Sequence, residues 1–333
     1  MNENIKTNIW FFGAGYWAQV LIKKINVKFP NHNIQVIDPN IKALKELASK
    51  YLFVVPSSIE TFKEKAKRGD FGYVVTPPNT HYQIASDLLD LGCHTWVEKP
   101  LTTDAVQAED LIKKAIAQNL TLFIDNTFLF DPLILSLKQL NQTDNTINHI
   151  HSRRQGWGKV LKDLGVLWDL LPHDLSIVNN IFGKIQSHSL LSINFGPEKS
   201  RLSRTSLAAS IMLITVDNIT AQIDLSAISR NKIRQIQLMN SNELITYDLN
   251  SCGSAIFRSN WDSLPGLTSA DAELITENTL NTEDSLSNAL DCFIGLAEKG
   301  MFHASMDFAV HEIRIIQDLF EKSQLIFEQK KNM

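Results

Sequence analysis

Two short stretches of this sequence carry residue types that could move protons or hold a substrate. In the first, the apolar residues Trp96 and Val97 lead directly into Glu98, Lys99 and Pro100. A strand that ends in charge at its carboxyl edge is where an open α/β sheet binds ligands, and a lysine there can donate a proton or hold a substrate oxygen. Because proline restricts the residue before it, we expect Lys99 to be extended and fixed in direction. A Glu-Lys-Pro tripeptide taken alone is better explained as a solvated strand end, so the surrounding elements must decide.

In the second stretch, Asp169 and His173 are four residues apart within a run whose apolar residues recur at spacings of three and four. This period predicts a buried helical stripe, and the Asp and the His share a different face of that helix. A carboxylate beside an imidazole orients the ring and holds its tautomer, which suits a general base. Pro172 is expected to kink the helix or to lie near its start. A histidine near an apolar stripe is more often structural, but this Asp–His pair lies just after the expected domain boundary and faces away from the core, which favours catalysis.

The amino-terminal residues predict a dinucleotide site. A short apolar run, Ile9 to Phe12, is followed by Gly13-Ala14-Gly15-Tyr16-Trp17-Ala18 and then by apolar residues at helical spacing. In this pattern the first glycine permits a tight turn, the second lets backbone amides reach a pyrophosphate, and the alanine allows close helix packing. The pattern alone is weak, because glycine turns between a strand and a helix are common.

Asp38 ends the next apolar run, Ile34 to Ile37. An acid about 20 residues after the glycines binds the ribose hydroxyls of NAD, and its charge would repel the 2′-phosphate of NADP. NAD is therefore the expected cofactor. Asp38 could also be the N-cap of a helix over 42–50, and the two roles are compatible.

Strand-like and helix-like segments continue to alternate up to Ile124, which predicts a parallel, doubly wound sheet. Thr76, Pro77 and Pro78 follow the strand expected at 71–75. Since they lie at a carboxyl strand end, we expect them to border the nicotinamide ribose.

Three motifs occur in order: the glycine turn, Thr76-Pro77-Pro78-Asn79-Thr80-His81, and Glu98-Lys99-Pro100-Leu101-Thr102. Together they resemble those of the Gfo/Idh/MocA oxidoreductases, and the resemblance covers nearly the whole chain. It implies a Rossmann domain followed by a domain with an open, mostly antiparallel sheet. It also implies that Lys99 is catalytic and that the Lys99–Pro100 bond is often cis. The implied cofactor-binding residues are Gly13, Ala14, Gly15, Tyr16, Trp17, Asp38, Thr76, Pro77, Pro78, His81, Glu98 and Lys99.

The second half departs from this family in detail. The family carries an Asp-x-Gly-x-His motif with a further Asp three residues later, and Asp169 and His173 match its first and last positions. Leu171 stands where Gly is usual, Ser176 stands where the later Asp is usual, and Asp174 is adjacent instead. The Asp–His pair is retained, whereas the finer shape of the substrate pocket is expected to differ.

The carboxyl-terminal half reads as strands followed by helices. Apolar runs between 187 and 249 are strand-like, 250–280 is expected to be a long polar loop, and amphipathic helices are expected at 286–296 and 308–320. We therefore predict an α/β protein with an NAD-binding Rossmann domain at 1–125. A substrate-binding and oligomerisation α+β domain, with an open, mostly antiparallel sheet, would follow at 126–333. An open sheet face implies self-association, as a homodimer or homotetramer.

Composition excludes several other classes of protein. The chain of 333 residues has a net charge of −4, without a basic block that would suggest nucleic acid or a membrane surface. Its three cysteines are far apart and lack metal-ligand spacing, so no metal site is predicted and a reducing, cytoplasmic location is expected. The polar first residues do not resemble a signal peptide, and no apolar run reaches membrane-spanning length.

These residues together predict an NAD-dependent sugar or polyol dehydrogenase. His173 would take the hydroxyl proton, Lys99 would hold the same oxygen, and Asp169 would orient His173. Two alternatives stay open: an NADPH-dependent ketosugar reductase on the same fold, and a cofactor-binding sensor without turnover. An intact set of Lys99, Asp169 and His173 speaks against the sensor.

The expected substrate is a nucleotide-linked hexose such as a UDP-N-acetylhexosamine or its uronic acid, oxidised at the 3-hydroxyl. Arg153 and Arg154 end a strand before the catalytic helix and could hold a diphosphate, with Trp157 beside them. The stretch from Arg230 to Asn242 resembles one found in the nucleotide-sugar members of the family. A solvated, paired surface is an equally good interpretation of the two arginines, and a free sugar or inositol would need no diphosphate clamp.

Overall fold

The computed structural model describes residues 7–143, 146–158, 160, 164–198, 200–241, 243–249, 255–260, 273–277, 284–301 and 306–331. The chain divides into two compact units. The first comprises Met1–Thr127 and Glu283–Ile313, and the second comprises Phe128–Thr282 and Arg314–Met333. The expected boundary after residue 125 is close to the observed division after Thr127. However, Glu283–Ile313, which we assigned to the second domain, belongs to the first unit.

The first unit contains a parallel sheet of six described strands in the order β3-β2-β1-β4-β5-β6. Its strands are β1 (Ile9–Phe12), β2 (Ile34–Ile37), β3 (Val54–Pro56), β4 (Phe71–Val74), β5 (His94–Val97) and β6 (Leu122–Ile124). This order is that of a dinucleotide-binding doubly wound sheet, in which the chain reverses direction across the sheet between β1 and β4. The expected Rossmann fold is confirmed.

Helices connect these strands and cover the sheet. They are α1 (Tyr16–Lys28), α2 (Ile41–Lys50), α3 (Ile59–Lys65), α4 (Pro78–Asp90), α5 (Ala105–Gln118) and, from the carboxyl-terminal part, α9 (Ser285–Ala297). One aromatic ring contributes to holding α9 against this sheet. Phe293 packs against the aromatic side chains of β4, β5 and β6 at centroid distances of 5.6–5.7 Å. Burying such a side chain stabilises the fold by roughly 1.5–3 kcal/mol.

The second unit is built on a sheet of eight described strands in the order β14-β13-β12-β11-β7-β10-β9-β8. These are β7 (His149–Trp157), β8 (Ile185–Phe195), β9 (Ser206–Thr215), β10 (Thr220–Ser226), β11 (Ile228–Met239), β12 (Glu243–Asp248), β13 (Ala255–Asn260) and β14 (Glu273–Glu277). All neighbours are antiparallel except β7 and β10. The expected mostly antiparallel sheet is confirmed.

One expectation for this unit is wrong, and an alternative that the sequence left open is decided. The segment 250–280 contains β13 and β14, so its described parts are strands rather than loop; residues 250–254, 261–272 and 278–280 lie outside the described residues. The helix expected around Pro172 is two helices, α7 (Gly165–Asp169) and α8 (Leu171–Ile181), joined at Leu170. Proline is tolerated in the first turn of a helix, because the N–H that it lacks would have no acceptor within the helix there. Pro172 accordingly lies near the start of α8.

The remaining helical segments are a short 3₁₀ turn (Thr127–Phe130), α6 (Pro132–Thr143) and α10 (Met306–Lys331). Along β10, buried residues alternate with half-buried ones, which is the pattern of a sheet that is covered on one face. No helix in the described part of the chain is both long enough and apolar enough to cross a bilayer. The oligomeric state stays a prediction.

Candidate active site

The turn between β1 and α1 is shaped by Gly13. Its φ is +113°, and a Cβ at this position would lie 2.2 Å from the carbonyl oxygen of Val75. Only glycine fits such a position, because a side chain would meet both backbone strain and a rigid carbonyl. Gly15 is different: it is the N-cap of α1 with ordinary dihedrals, and a Cβ there would meet no atom within 4 Å. The open space lies at the start of a helix, where backbone amides favour an anion such as a pyrophosphate.

Asp38 holds this turn closed from the end of β2. One carboxylate oxygen accepts a hydrogen bond of 2.7 Å from the backbone N–H of Ala14, and the other accepts one of 2.7 Å from Asn40. The expectation that Asp38 caps α2 is wrong, because Asn40 is the N-cap and accepts from Ala43 at 3.1 Å. The carboxylate is thus fixed beside the glycine turn, as a group that binds ribose hydroxyls must be.

Other expected cofactor residues fall at carboxyl strand ends of the same sheet. Tyr16 is 83% exposed at the start of α1. Thr76 follows β4, and Pro77 and Pro78 form the N-cap and first residue of α4. The side-chain hydroxyl of Thr76 accepts a hydrogen bond of 2.7 Å from Thr80.

His81 joins the two loops that follow β4 and β5. Its Nδ1 lies 2.8 Å from the carbonyl oxygen of Pro100, and its Nε2 lies 2.7 Å from that of Thr76. Burial lowers the pKa of His81, while the two carbonyls act in the opposite direction. Because both ring nitrogens are engaged and the side chain is buried, any part that His81 has in cofactor binding is through the shape of these loops. A role of His81 in cofactor binding stays a prediction.

Lys99 lies in the loop after β5, partly exposed, and the Lys99–Pro100 peptide is cis, as the resemblance implied. The loop is held at its start, since the N–H of Glu98 donates to the carbonyl of Val74 at 2.9 Å. The carboxylate of Glu98 in turn accepts from the backbone N–H of Lys99 at 3.1 Å. Lys99 therefore projects from a loop whose backbone is bonded to the sheet.

An acid pair, half-buried at Glu98 and buried at Asp125, lies beside this loop, and sequence reasoning missed it. Asp125 follows β6 and forms a side-chain hydrogen bond with Glu98. Thr127 and the indole of Trp17 also donate to Asp125. Burial and then the charge of Asp125 raise the pKa of Glu98 well above its usual range, although Lys99 opposes this. The signal that could have found the pair is the position of an acid directly after each of two neighbouring apolar strands.

In the second unit, Asp169 is the last residue of α7 and His173 lies in the first turn of α8, on either side of Leu170. The His173 ring meets the edge of the Phe128 ring at a centroid distance of 4.9 Å and an interplanar angle of 77°. Asp169 lines a pocket of about 220 Å³ formed by this unit. The two predicted groups are thus neighbours in the fold, across a helix break instead of along one helix.

The predicted arginine clamp is divided by the geometry of β7. Arg154 is buried and forms an ion pair with Asp174 of α8 at 2.8 Å, and it lines the pocket. The side chain of Arg153 lies on the opposite face of the sheet from that of Arg154 and donates to Gln235 of β11. Successive residues of a strand face opposite sides of a sheet, so the expectation that both arginines hold one diphosphate is wrong. Trp157, at the end of β7, is 79% exposed and lines the same pocket as Arg154.

The predicted residues therefore form two groups. The cofactor residues and Lys99 lie at the carboxyl ends of the strands of the first unit, and Asp169, His173, Arg154 and Trp157 lie in the second. The donor set at the glycine turn, an open helix start with a fixed carboxylate beside it, fits a dinucleotide.

Comparison with known proteins agrees with this geometry. Residues 7–126 match the family model of the Gfo/Idh/MocA oxidoreductases, described as an oxidoreductase family with an NAD-binding Rossmann fold. Among curated proteins, a UDP-N-acetylglucosamine 3-dehydrogenase of Acidithiobacillus ferrooxidans is 28% identical over 143 residues, which are 43% of this chain and 44% of that protein. The first curated relatives are all matched over less than half of their own lengths.

Solved structures match over nearly the whole chain. The same dehydrogenase of A. ferrooxidans superposes with a TM-score of 0.77 at 18% identity, covering 96% of this chain and 98% of that one. A 3-ketoreductase from Actinomadura kijaniata in complex with NADP and TDP-benzene has a TM-score of 0.76 at 15% identity, with 94% and 96% covered. GenD2 from gentamicin A biosynthesis, in complex with NAD, has a TM-score of 0.73 at 16% identity, with 95% and 94% covered. At these identities the structures establish the fold.

Proposed function

We propose that this chain, whose residues 7–126 match the family model of the Gfo/Idh/MocA oxidoreductases, is an NAD-dependent dehydrogenase of a secondary sugar hydroxyl. One observation carries the proposal. The loop that presents Lys99 begins at the carboxyl edge of the sheet that carries the glycine turn and the fixed carboxylate of Asp38. A cofactor site and a proton-donating side chain on one sheet edge suit hydride transfer better than binding alone.

The chain's own residues have defined roles in this proposal. When bound, NAD would accept the hydride from the carbinol carbon at its nicotinamide. His173 takes the hydroxyl proton as general base, and the Lys99 ammonium donates a hydrogen bond to the same oxygen while negative charge develops there. Asp169 orients the His173 imidazole. Glu98 and Asp125 keep the loop of Lys99 in place.

For the substrate, we propose a nucleotide-linked hexose, a UDP-N-acetylhexosamine or its uronic acid, oxidised at the 3-hydroxyl. The support is the similarity to a UDP-N-acetylglucosamine 3-dehydrogenase in sequence and fold. A second support is the pocket with Arg154, Trp157 and Asp169 among its walls, since arginine forks recognise phosphate oxygens and an exposed indole offers a stacking face.

The experiment is NADH formation by the purified protein against a panel of free hexoses, inositols and UDP-linked sugars, each with NAD and with NADP. We expect UDP-N-acetylhexosamines to give the highest kcat/KM, with NAD preferred. Turnover of free sugars as efficient as that of any nucleotide sugar would refute the substrate proposal. Absence of NADH or NADPH formation with every sugar of the panel would refute the dehydrogenase.

A second function on the same residues is reduction of a 3-ketosugar with NADPH. The similarity of the fold to that of a 3-ketoreductase complexed with NADP supports this second candidate. The reverse chemistry needs the same groups, with His173 as proton donor. A preference for NADPH over NADH in the reductive direction would select this function.

A further inference from the structure

Two arginines face each other across neighbouring strands of the second unit. In the antiparallel pairing of β11 with β7, Arg234 is the register partner of Arg154. Like charges directly opposite each other on a sheet destabilise it. Both guanidiniums also lie against one ring, that of Phe128, at 4.5 Å for Arg154 and 5.5 Å for Arg234. The two charges are therefore held close together by the strands and by a shared aromatic face.

One carboxylate compensates for only one of these charges. Asp174 accepts from Nε of Arg154 at 2.8 Å and from its Nη2 at 3.3 Å. Arg154 is only 4% exposed, and its Nη1 has no hydrogen-bond partner in the part of the chain that the structure describes. A buried guanidinium nitrogen without an acceptor costs free energy, and an anionic ligand could remove that cost.

Arg234 lacks an ion pair of its own among the described residues, although it is half-buried. Burial and then the charge of Arg154 lower its pKa, while Asp174 acts in the opposite direction. Surplus positive charge that is partly removed from water is unfavourable unless a bound anion neutralises it.

The two arginines line the same pocket of about 220 Å³, together with Trp157, Asp169 and Lys232. We infer that Arg154 and Arg234 form a subsite for a phosphoryl group of the substrate, with Arg234 as the specificity-determining residue. This inference rests on the proposed function for the identity of the ligand. Two guanidinium forks match the several oxygens of a phosphate or diphosphate, and Trp157, an exposed residue that lines the pocket, offers a face for the attached base or sugar.

The test uses isothermal titration calorimetry on the full-length protein, with UDP, inorganic pyrophosphate and glucuronate as probes because none of them requires turnover. In Arg234→Gln we expect the affinity for UDP to fall about 10-fold to 100-fold, the range for losing a charged hydrogen bond, and Arg234→Lys should recover part of it. Arg153→Gln is the matched control, because Arg153 is the neighbour of Arg154 on β7 and faces the opposite side of the sheet. It removes the same charge, and we expect UDP affinity to stay within about threefold of wild type.

Stability provides a second measurement. Because Arg234 opposes a like charge and leaves no acid unpaired when removed, Arg234→Gln should unfold at or above the wild-type temperature. Arg154→Gln leaves Asp174 buried without its partner and should unfold well below it, so Arg234 is the residue on which binding is tested.

Three results would overturn the subsite. These are unchanged UDP affinity in Arg234→Gln, an equal loss in Arg153→Gln, and a loss for glucuronate with none for UDP or pyrophosphate, which would assign the pocket to a carboxylate. UDP binding that depends on Arg234, without turnover of any sugar, would support the subsite and refute the dehydrogenase. Turnover of a nucleotide sugar that is unchanged in Arg234→Gln would support the dehydrogenase and refute the subsite.

Discussion

Glu98 and Asp125 meet carboxyl to carboxyl at the ends of the neighbouring strands β5 and β6. The strand register sets this meeting, because Val97 pairs with Ile124 and the backbone N–H of Asp125 donates to Val97 at 2.8 Å. Oδ2 of Asp125 receives no N–H or hydroxyl donor among the described residues. Burial and the charge of Asp125 raise the pKa of Glu98 well above its usual range, so the pair binds a proton more tightly than two separate carboxyl groups would.

The first prediction concerns the pH dependence of stability. Burial raises the pKa of both acids, and the charge of Asp125 raises that of Glu98 further, so between the ordinary pKa of a carboxyl and the raised value the native state binds a proton that the unfolded chain has released. The free energy of unfolding therefore falls as pH rises through that window, by at most about 1.4 kcal/mol per pH unit for one proton. Glu98→Gln, whose amide can donate to Asp125 permanently, should flatten this fall.

Thermal unfolding from pH 4 to 9 measures this effect. Glu46→Gln is a suitable control, because Glu46 is an exposed glutamate of the same unit. If wild type and Glu98→Gln lose stability in parallel as the pH rises, the acids do not share a proton.

The second prediction separates the two glycines of the turn. Gly13→Ala places a Cβ 2.2 Å from the Val75 carbonyl at a φ of +113°, and we expect a loss of at least about 1–3 kcal/mol of stability from backbone strain. Gly15→Ala meets nothing within 4 Å, so its unfolding temperature should stay near wild type while NAD binding weakens, because the new methyl group lies where the pyrophosphate approaches.

Chemical denaturation and fluorescence titration with NADH distinguish the two effects. Equal stabilities of the two variants would contradict the steric account of Gly13. Unchanged NADH affinity in a folded Gly15→Ala would contradict the placement of the pyrophosphate at the start of α1.

Much of this fold could be predicted from local sequence, and the failures share a cause. The glycine turn, Asp38 and the loop of Lys99 are read from residues that are adjacent in the chain. The position of Phe293 in the first unit could not be predicted in this way, since its aromatic partners lie about 200 residues away in the chain. An amphipathic pattern predicts a helix but does not indicate which sheet the helix packs against. The break at Leu170 was left open because Pro172 is compatible both with a kink and with a helix start.

Register explains the remaining misses. The opposition of Arg154 and Arg234 depends on pairing across an irregularity in β11 between Ile228 and Ile233, and a one-residue shift would place Arg234 on the other face of the sheet. The same alternation separates Arg153 from Arg154. A sequence identifies which residues are basic, but the sheet decides which of them share a side.

The third prediction concerns catalysis. Lys99→Ala and His173→Ala should each lower kcat about 10²-fold to 10⁴-fold, the usual cost of losing a proton-transfer partner, with NAD affinity nearly unchanged. Asp169→Asn should cost less if Asp169 only orients His173. In the oxidation direction kcat should rise with pH as His173 loses its proton, and His173→Ala should lose that dependence. Steady-state kinetics with the best substrate of the panel measures all three variants, and near-normal turnover in any one removes that residue from the mechanism.

The last prediction concerns cofactor choice and rests on Asp38, which accepts from the Ala14 N–H and which, in the proposed function, presents its charge toward the ribose. Wild type should bind NAD more tightly than NADP. Asp38→Asn keeps an oxygen that can accept from Ala14 and removes the charge, so it should narrow the preference while leaving stability intact. Asp38→Ala removes both and should weaken the binding of both cofactors; an added arginine nearby should then favour NADP, since a guanidinium pairs with the 2′-phosphate. Titration of each variant with NAD and NADP measures the ratio, and equal affinity of the wild type for the two cofactors would show that Asp38 serves the turn alone.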